Sequence, residues 1–332
     1  MSERTQYVTV NNNKSQSVPV TSGVPQGSVL GPTLFIYFIN DLPSVCEALV
    51  KIFADDAKSF NYILSEEDCL KLQRTLNSLK EWSNIWLLDF NATKCNVLHL
   101  GKNNKKYQYY MKNGDELTKL NKSEFEKDLG VNIDTNLDFK IHIKTTVKKA
   151  RSAAGIINRH IINKTPKIMV QLFKSMVRPI LEYANVVWAP YLKKDIVLLE
   201  SVQRHFTKKI FGMKDKSYEE RLIYLKLPSL QYRRLRGDLI EVYKILHNIY
   251  DPVTTKKLLT KVPSTSVTRK SNSLNLTKQR TNKNAYKNFF TNRINNVWNN
   301  LPNDIVNAKS LNIFKNRIDF HFRDIKYKYY GQ

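Results

Sequence analysis

The hydrophobic pattern divides this 332-residue chain into an early stretch of short alternating segments and a longer later stretch of helical periodicity. Residues 6–20 read as a hairpin: Tyr7, Val8, Thr9 and Val10 lead into Asn11-Asn12-Asn13, and Val18-Pro19-Val20 returns. Ser22-Gly23-Val24-Pro25-Gln26-Gly27-Ser28 is a loop by composition. A helix follows, with Leu30, Leu34, Phe38 and Leu42 recurring every fourth residue and Phe35 and Ile39 beside them. Pro32 sits near its start, where a missing N–H is tolerated. Two runs rich in β-branched and aromatic residues, 48–52 and 57–63, flank Phe53-Ala54-Asp55-Asp56 and place the aspartates at the tip of a second hairpin. Ser65-Glu66-Glu67-Asp68 has the form of a capping box, and the stripe Cys69, Leu72, Leu76, Leu79 and Trp86 behind it reads as core. Residues 94–100 and 126–134 read as short strands, and the polar, basic stretch 103–112 as a loop or edge hairpin.

From about residue 140 the pattern is helical. Thr165-Pro166 supplies an N-cap followed by proline at the first helical position, and Ser217-Tyr218-Glu219-Glu220 forms another capping box. Arg178-Pro179 and Ala189-Pro190 punctuate the helices. Residues 251–283, rich in Thr, Ser, Asn and Lys with Pro252 and Pro263, read as a linker or flexible loop. Over 284–325 aromatics return at helical spacing: Tyr286, Phe289, Phe290, Trp298, Phe314 and Phe320. No internal repeat is seen. The expected class is α+β, an antiparallel sheet with helices followed by helical regions.

Charge changes the picture more than overall composition does. The net charge is +25, yet residues 1–140 sum to −1 and residues 141–332 to +26. A field of that sign seeks a polyanion. Nucleic acid is the usual partner, an anionic membrane the second, and a merely soluble cationic surface the bland alternative. Interleaving of aromatic and basic residues, as in Tyr232-Arg233-Arg234-Leu235-Arg236, favours a packed basic face over a disordered tail. No run of about 18 apolar residues occurs, so no membrane span is expected. Met-Ser-Glu-Arg-Thr-Gln lacks the charged start and apolar core of a signal peptide. Cys46, Cys69 and Cys95 are scattered and odd in number, which fits a reducing intracellular compartment, and none has zinc-finger spacing.

Asp55-Asp56 taken alone suits an ordinary turn, because aspartate bonds to nearby backbone amides. It also suits Mg²⁺, which takes oxygen ligands and bridges to substrate phosphates. The glycine-bearing loop lies 29 residues upstream, measured from Gln26 to Asp55, with one helix and one strand between. Gly23 and Gly27 permit close backbone approach to a ligand, and Gln26 can hydrogen-bond a base, a sugar or a strand backbone. Two metal ions held by such carboxylates stabilise the attacking and leaving oxygens of phosphoryl transfer. Lys94 could neutralise or protonate leaving pyrophosphate; on spacing alone it is equally a surface lysine before a strand.

The series of motifs resembles the reverse transcriptase of non-LTR (LINE-like) retrotransposons. It begins with Ser22-Gly-Val-Pro-Gln-Gly-Ser-Val-Leu-Gly-Pro32 and Phe53-Ala-Asp-Asp56. It continues through Trp82-Ser83-Asn84-Ile85-Trp86 to Phe90-Asn91-Ala92-Thr93-Lys94-Cys95. Asp128-Leu129-Gly130-Val131 with Leu137-Asp138-Phe139-Lys140-Ile141-His142-Ile143 is similar to the family's primer-grip region, and Arg178-Pro179-Ile180-Leu181-Glu182-Tyr183 through Trp188-Ala189-Pro190 to its thumb. Leu199-Glu200-Ser201-Val202-Gln203-Arg204 and 233–240 match the C-terminal region of the same elements.

The resemblance implies a partial polymerase palm over 1–139, a helical thumb over 140–250, a polar linker over 251–283 and a basic helical segment over 284–332. It sets Asp55 and Asp56 at catalytic Mg²⁺ or Mn²⁺, and Lys94 near the triphosphate. It sets Gly23, Pro25, Gln26, Gly27 and Ser28 against template and incoming nucleotide, and Leu129 and Gly130 under the primer end. Arg204, Lys208, Lys209, Arg233, Arg234 and Arg236 are candidate contacts to a nucleic-acid backbone. The implied partners are an RNA template, a DNA primer or target, and dNTPs, in nucleus and cytoplasm. The chain departs from the pattern in one place that matters. The family carries a further catalytic aspartate on an earlier palm strand, and the first aspartate of these 332 residues is Asp41. Ala57 also stands where the family usually has threonine. The expectation is therefore a reverse transcriptase fragment of weak or absent activity by itself; the alternative is a non-catalytic nucleic-acid-binding protein using residues 141–332.

Overall fold

The computed structural model describes residues 4–21, 23–24, 27–114, 116–255, 258–263 and 272–329. The chain forms two compact units, Met1–Glu124 and Phe125–Gln332. Helix and strand are mixed, as the α+β expectation required. Among the described residues the strands form six two-stranded ladders, five antiparallel and one parallel.

In the first unit, strands β1 (Thr5–Gln6) and β4 (Val18–Pro19) pair around a tighter ladder of β2 (Thr9–Val10) and β3 (Asn13–Lys14). Asn11 and Asn12 turn the inner ladder with positive φ, a region asparagine enters more readily than most side chains. Helix α1 (Gly31–Ile39) carries Pro32 in its first turn and leads through a 3₁₀ turn to the hairpin of β5 (Leu49–Phe53) and β6 (Asp56–Phe60).

Helix α2 (Glu66–Trp86) opens on the expected capping box. The Asp68 amide donates to Ser65 Oγ at 3.3 Å, and the Ser65 amide donates to the Asp68 carboxylate at 2.7 Å. Such a cap is worth about 1 kcal/mol. On its stripe Cys69 and Leu79 are buried and Leu72 and Leu76 half-buried. Trp86 is partly exposed but stacks on Trp82 at 5.9 Å, with Phe38 edge-on to both.

Strand β7 (Asn96–Leu98) runs parallel to β10 (Asn121–Ser123), and β8 (Tyr110–Asn113) pairs with β9 (Glu116–Lys119). The stretch 103–112 is thus partly a hairpin arm, and it is less of a surface feature than its lysines implied. Tyr109 and Met111 are buried with Ala92 and Leu120. Alternation places Tyr107, Tyr109 and Met111 on one side, a period that average polarity conceals.

The second unit starts with a hairpin of β11 (Phe125–Asp128) and β12 (Val131–Asp134), followed by α3 (Lys140–His160) and α4 (Pro166–Leu172). Thr165 holds the N-cap position without a side-chain bond, and Pro166 fixes the first turn. At Arg178-Pro179 the helix runs on: a π-helical turn, Phe173–Val177, precedes α5 (Arg178–Glu182) and absorbs the ring and its missing N–H. Then come α6 (Asn185–Trp188), α7 (Lys193–Lys208), α8 (Tyr218–Tyr224) with the expected Ser217–Glu220 capping box, and α9 (Leu230–Leu246). Short helical turns precede a last helix, α10 (Leu311–His321).

Two apolar clusters fill this unit. One packs Ile143, Phe173, Leu181, Trp188 and Phe206 between α3, α5 and α7. The other packs Leu239, Tyr243, Trp298, Phe314 and Ile318 between α9 and the last helices. Within 251–283, Leu259, Asn272 and Leu276 are buried, and Asn272 Nδ2 donates to the Trp298 and Leu301 carbonyls. Asparagine amides pin this segment together with a few isolated leucines, so its composition reads as loop. No helix among the described residues is long and apolar enough to cross a membrane.

Candidate active site and nucleic-acid face

The ladder register pairs Phe53 with Asp56, so only Ala54 and Asp55 form the turn between β5 and β6. Ala54 has φ 51°, the left-handed region that the right-handed strand twist demands of a two-residue turn. The two carboxylates therefore stand at an exposed tip, Asp55 within the turn and Asp56 as the first residue of β6. The donors are carboxylate oxygens, the right type for Mg²⁺ or Mn²⁺. They are an incomplete set, because among the described residues no group of three or more His, Cys, Asp or Glu comes together. Asp41, the earliest aspartate, is committed elsewhere as acceptor for Trp82 Nε1 at 3.1 Å.

In the glycine-bearing loop, Pro25 and Gln26 lie outside the described residues. Gly23 and Gly27 have φ 82° and 81°, and a Cβ on either would meet nothing. Their need for glycine is conformational. Arg4 donates to the Gly23 carbonyl at 2.7 Å, and Ser28 Oγ accepts the Gly31 amide at 3.0 Å at the start of α1. Lys94 is exposed at the end of a 3₁₀ turn, Ala92–Lys94, and its amide donates to Asn91 Oδ1 at 3.3 Å.

In the second unit, Leu129 and Gly130 form the two-residue turn of the β11–β12 hairpin, both with positive φ. Beneath it, His142 on α3 is buried, and its Nδ1 accepts the Asn132 amide at 3.2 Å. Burial, with Lys149 as a smaller cause, pushes His142 down to about 4, so the imidazole is neutral with its proton on Nε2.

The six candidate backbone contacts divide sharply. Lys208 and Lys209 are exposed at the end of α7. Arg204 is stacked at 5.2 Å from the rings of both Tyr218 and Tyr329. On α9, Arg233 makes a two-pronged pair with Glu182, and Arg236 pairs with Asp319 at 2.7 and 3.2 Å. Arg234 is buried, and burial lowers its pKa against the opposing pull of Glu200, Glu182 and Asp238. These three arginines therefore already face carboxylates within their own unit.

Free cationic surface lies instead on α3, which sequence reasoning did not single out. Lys144, Lys148, Arg151 and Arg159 recur at helical spacing with Gly155 between, and all four cations are exposed. Arg151 Nη2 donates to Ser201 Oγ on α7 at 2.9 Å, so the exposed edges of the two helices adjoin. Residues 140–160 contain no acidic residue, and the two acids of α7, Asp195 and Glu200, are buried. That absence of Asp and Glu over 21 residues was the available signal.

Residues 2–133 match the family described as reverse transcriptase (RNA-dependent DNA polymerase). The chain is 28% identical over 229 residues, 64% of its length, to the RNA-directed DNA polymerase from mobile element jockey of Drosophila melanogaster. It is 27% identical over 221 residues, 61% of its length, to the probable RNA-directed DNA polymerase from transposon BS, and 24% identical over 204 residues, 58% of its length, to that from transposon X-element, both of Drosophila melanogaster. These matches cover 24%, 24% and 22% of the respective relatives, so the chain spans about a quarter of their length. The resemblance is to the reverse transcriptases of LINE-like, non-LTR retrotransposons. No solved structure matches.

Proposed function

We propose that this chain is a reverse transcriptase segment that binds an RNA template paired to a DNA primer and contributes to template-directed nucleotidyl transfer from dNTPs. The observation that carries this reading is Asp55-Asp56 at a two-residue hairpin tip within the 2–133 match. In it, residues 1–139 form a partial palm, 140–250 a helical thumb, and 284–332 a basic helical segment beyond the 251–283 linker. Asp55 and Asp56 hold Mg²⁺ or Mn²⁺, which supplies charge stabilisation to the attacking and leaving oxygens. Gly23, Gly27 and Ser28, with Pro25 and Gln26, line template and nucleotide, and Lys94 meets the pyrophosphate charge. The Leu129-Gly130 turn supports the primer end. Cations of α3 and α7 follow the phosphate backbone. The setting is intracellular, in nucleus and cytoplasm.

By itself the 332-residue chain polymerises weakly or not at all, since two carboxylates leave the metal sites short of a ligand. Primer extension on a homopolymer template with Mg²⁺ or Mn²⁺ tests both statements. The expected result is little extension by the chain alone, and extension restored by fusing a palm segment that carries an upstream aspartate. Asp55→Asn must abolish the restored activity. Robust extension by the unfused chain would overturn the inactivity, and restored activity indifferent to Asp55→Asn would overturn the site.

A second reading is favoured by the carboxylate-free faces of α3 and α7: a nucleic-acid-binding protein with no catalysis. It requires that Asp56→Ala leave duplex affinity unchanged and that fusion restore nothing.

A further inference from the structure

We propose that Tyr183 is the positioning residue that holds the β11–β12 turn in the shape that meets a primer end; the primer role rests on the function proposed above. The turn is demanding. Leu129 has φ 43° and Gly130 φ 83°, and a branched side chain such as leucine resists the left-handed region. Two features of Tyr183 answer that demand. Its hydroxyl donates to the Leu129 carbonyl at 2.8 Å, across 54 residues of sequence. Its ring lies against Gly130, where an added Cβ would come within 3.2 Å of Cε1.

Tyr183 is in turn held from behind. Its amide donates to the Pro179 carbonyl at 3.0 Å, and Ala184, at φ 51°, bends the chain so that α6 folds back. Trp188 Nε1 then donates to the Tyr183 carbonyl at 2.7 Å. The buried Trp188 ring meets His142 edge-on at 4.8 Å, and His142 accepts the Asn132 amide of β12. Tip and arm of one hairpin thus lead to the same indole, one through Tyr183 and the other through His142.

Tyr183 is 57% exposed and Leu129 41% exposed, so neither is placed where it is to fill the core. A solvent-facing tyrosine spent on a solvent-facing carbonyl has its effect on the local shape of the tip, where a ligand can reach it.

The test uses the full chain and Tyr183→Phe, which keeps the ring and removes the hydroxyl. Amide exchange is followed over 128–132, and affinity is measured for an RNA–DNA duplex with a recessed DNA 3′ end and for a blunt duplex of equal length. Tyr183→Phe is expected to speed exchange at the tip by roughly 3–10-fold and to cut the preference for the recessed end by a similar factor. Protection in α3 and α7 stays unchanged. Gly130→Ala, which drives a methyl toward the ring, has the same signature. Unchanged tip exchange in Tyr183→Phe overturns the brace. Faster exchange with the recessed-end preference intact overturns the positioning role while the proposed function stands. A wild-type chain that binds both duplexes equally overturns the primer role together with that function, and tip exchange then decides the brace alone.

Discussion

The first unit carries 14 basic and 13 acidic residues, the second 40 and 16. All twelve of the largest fully buried side chains, from Trp188 and Trp298 to Leu230, belong to the second. The first presents its candidate chemistry on hairpin tips and loops and leaves Ile36, Tyr37, Phe53, Tyr62, Leu64 and Leu87 exposed. The contrast teaches how to read a large net charge. Part of the second unit's positive charge is paired within its own framework: Arg233 with Glu182, Arg236 with Asp319, Arg293 with Asp238 at 2.8 Å. Exposed cations of α3 and α7 are among those left for a ligand.

The sharpest way to break this comparison is to remove Trp188. Trp188→Ala leaves a cavity and orphans the Tyr183 carbonyl, and is expected to cost roughly 3–5 kcal/mol in urea unfolding of the second unit. Trp86→Ala in the first unit, where the ring is 41% exposed, costs less than half as much by the same measurement.

Next in size is pH dependence. In the folded chain burial holds His142 at about 4, whereas the unfolded imidazole titrates near 6.5. As pH falls from 6.5 to 4 the unfolded state takes up the proton first, so stability drops, on the order of 2–3 kcal/mol in all. Above that window the contribution is complete and flat. His142→Gln should flatten the acid limb of the denaturation midpoint plotted against pH.

Removing Lys144, Lys148, Arg151 and Arg159 together is expected to lower duplex affinity at least about tenfold at 0.1 M salt and to reduce the log–log salt slope by roughly 3–4. Arg236→Met, which breaks the pair with Asp319, should lower stability and leave that slope almost unchanged. Equal slopes for both variants would erase the distinction between framework and ligand-facing cations. The smallest effect is at Gly155, where an added Cβ meets nothing within 4 Å. Gly155→Ala should stabilise α3 by about 0.5–1 kcal/mol, read from the same unfolding curves.

Local devices were legible in the sequence. Ser65–Asp68 and Ser217–Glu220 cap their helices, and Asp55-Asp56 stands at a hairpin tip, because each is decided within a few residues. The role of Arg233 and Arg236 was not, since their carboxylates lie 51 and 83 residues away and only the fold brings them together. Within 251–283 the anchors are buried Asn272 and Leu276, held by amide-to-carbonyl bonds that no hydrophobic period announces. Of the candidate site, the aspartate pair and the Leu129-Gly130 turn were readable as motifs. Tyr183 stands in the sequence only as one residue of a longer motif, and its hydrogen bond to Leu129 spans 54 residues.

The fork of Arg293 has a consequence in time. Its Nη2 donates to the Val186 carbonyl at 2.8 Å, across 107 residues, while the same guanidinium grips Asp238. Five of the six ladders join strands that neighbour one another along the chain or nest within one hairpin, and such hairpins close in about 1–10 μs. During synthesis they can form as they emerge. The link from Val186 through Asp238 to Arg293 must wait for residue 293 to leave the ribosome, so the basic half of the molecule completes its folding last.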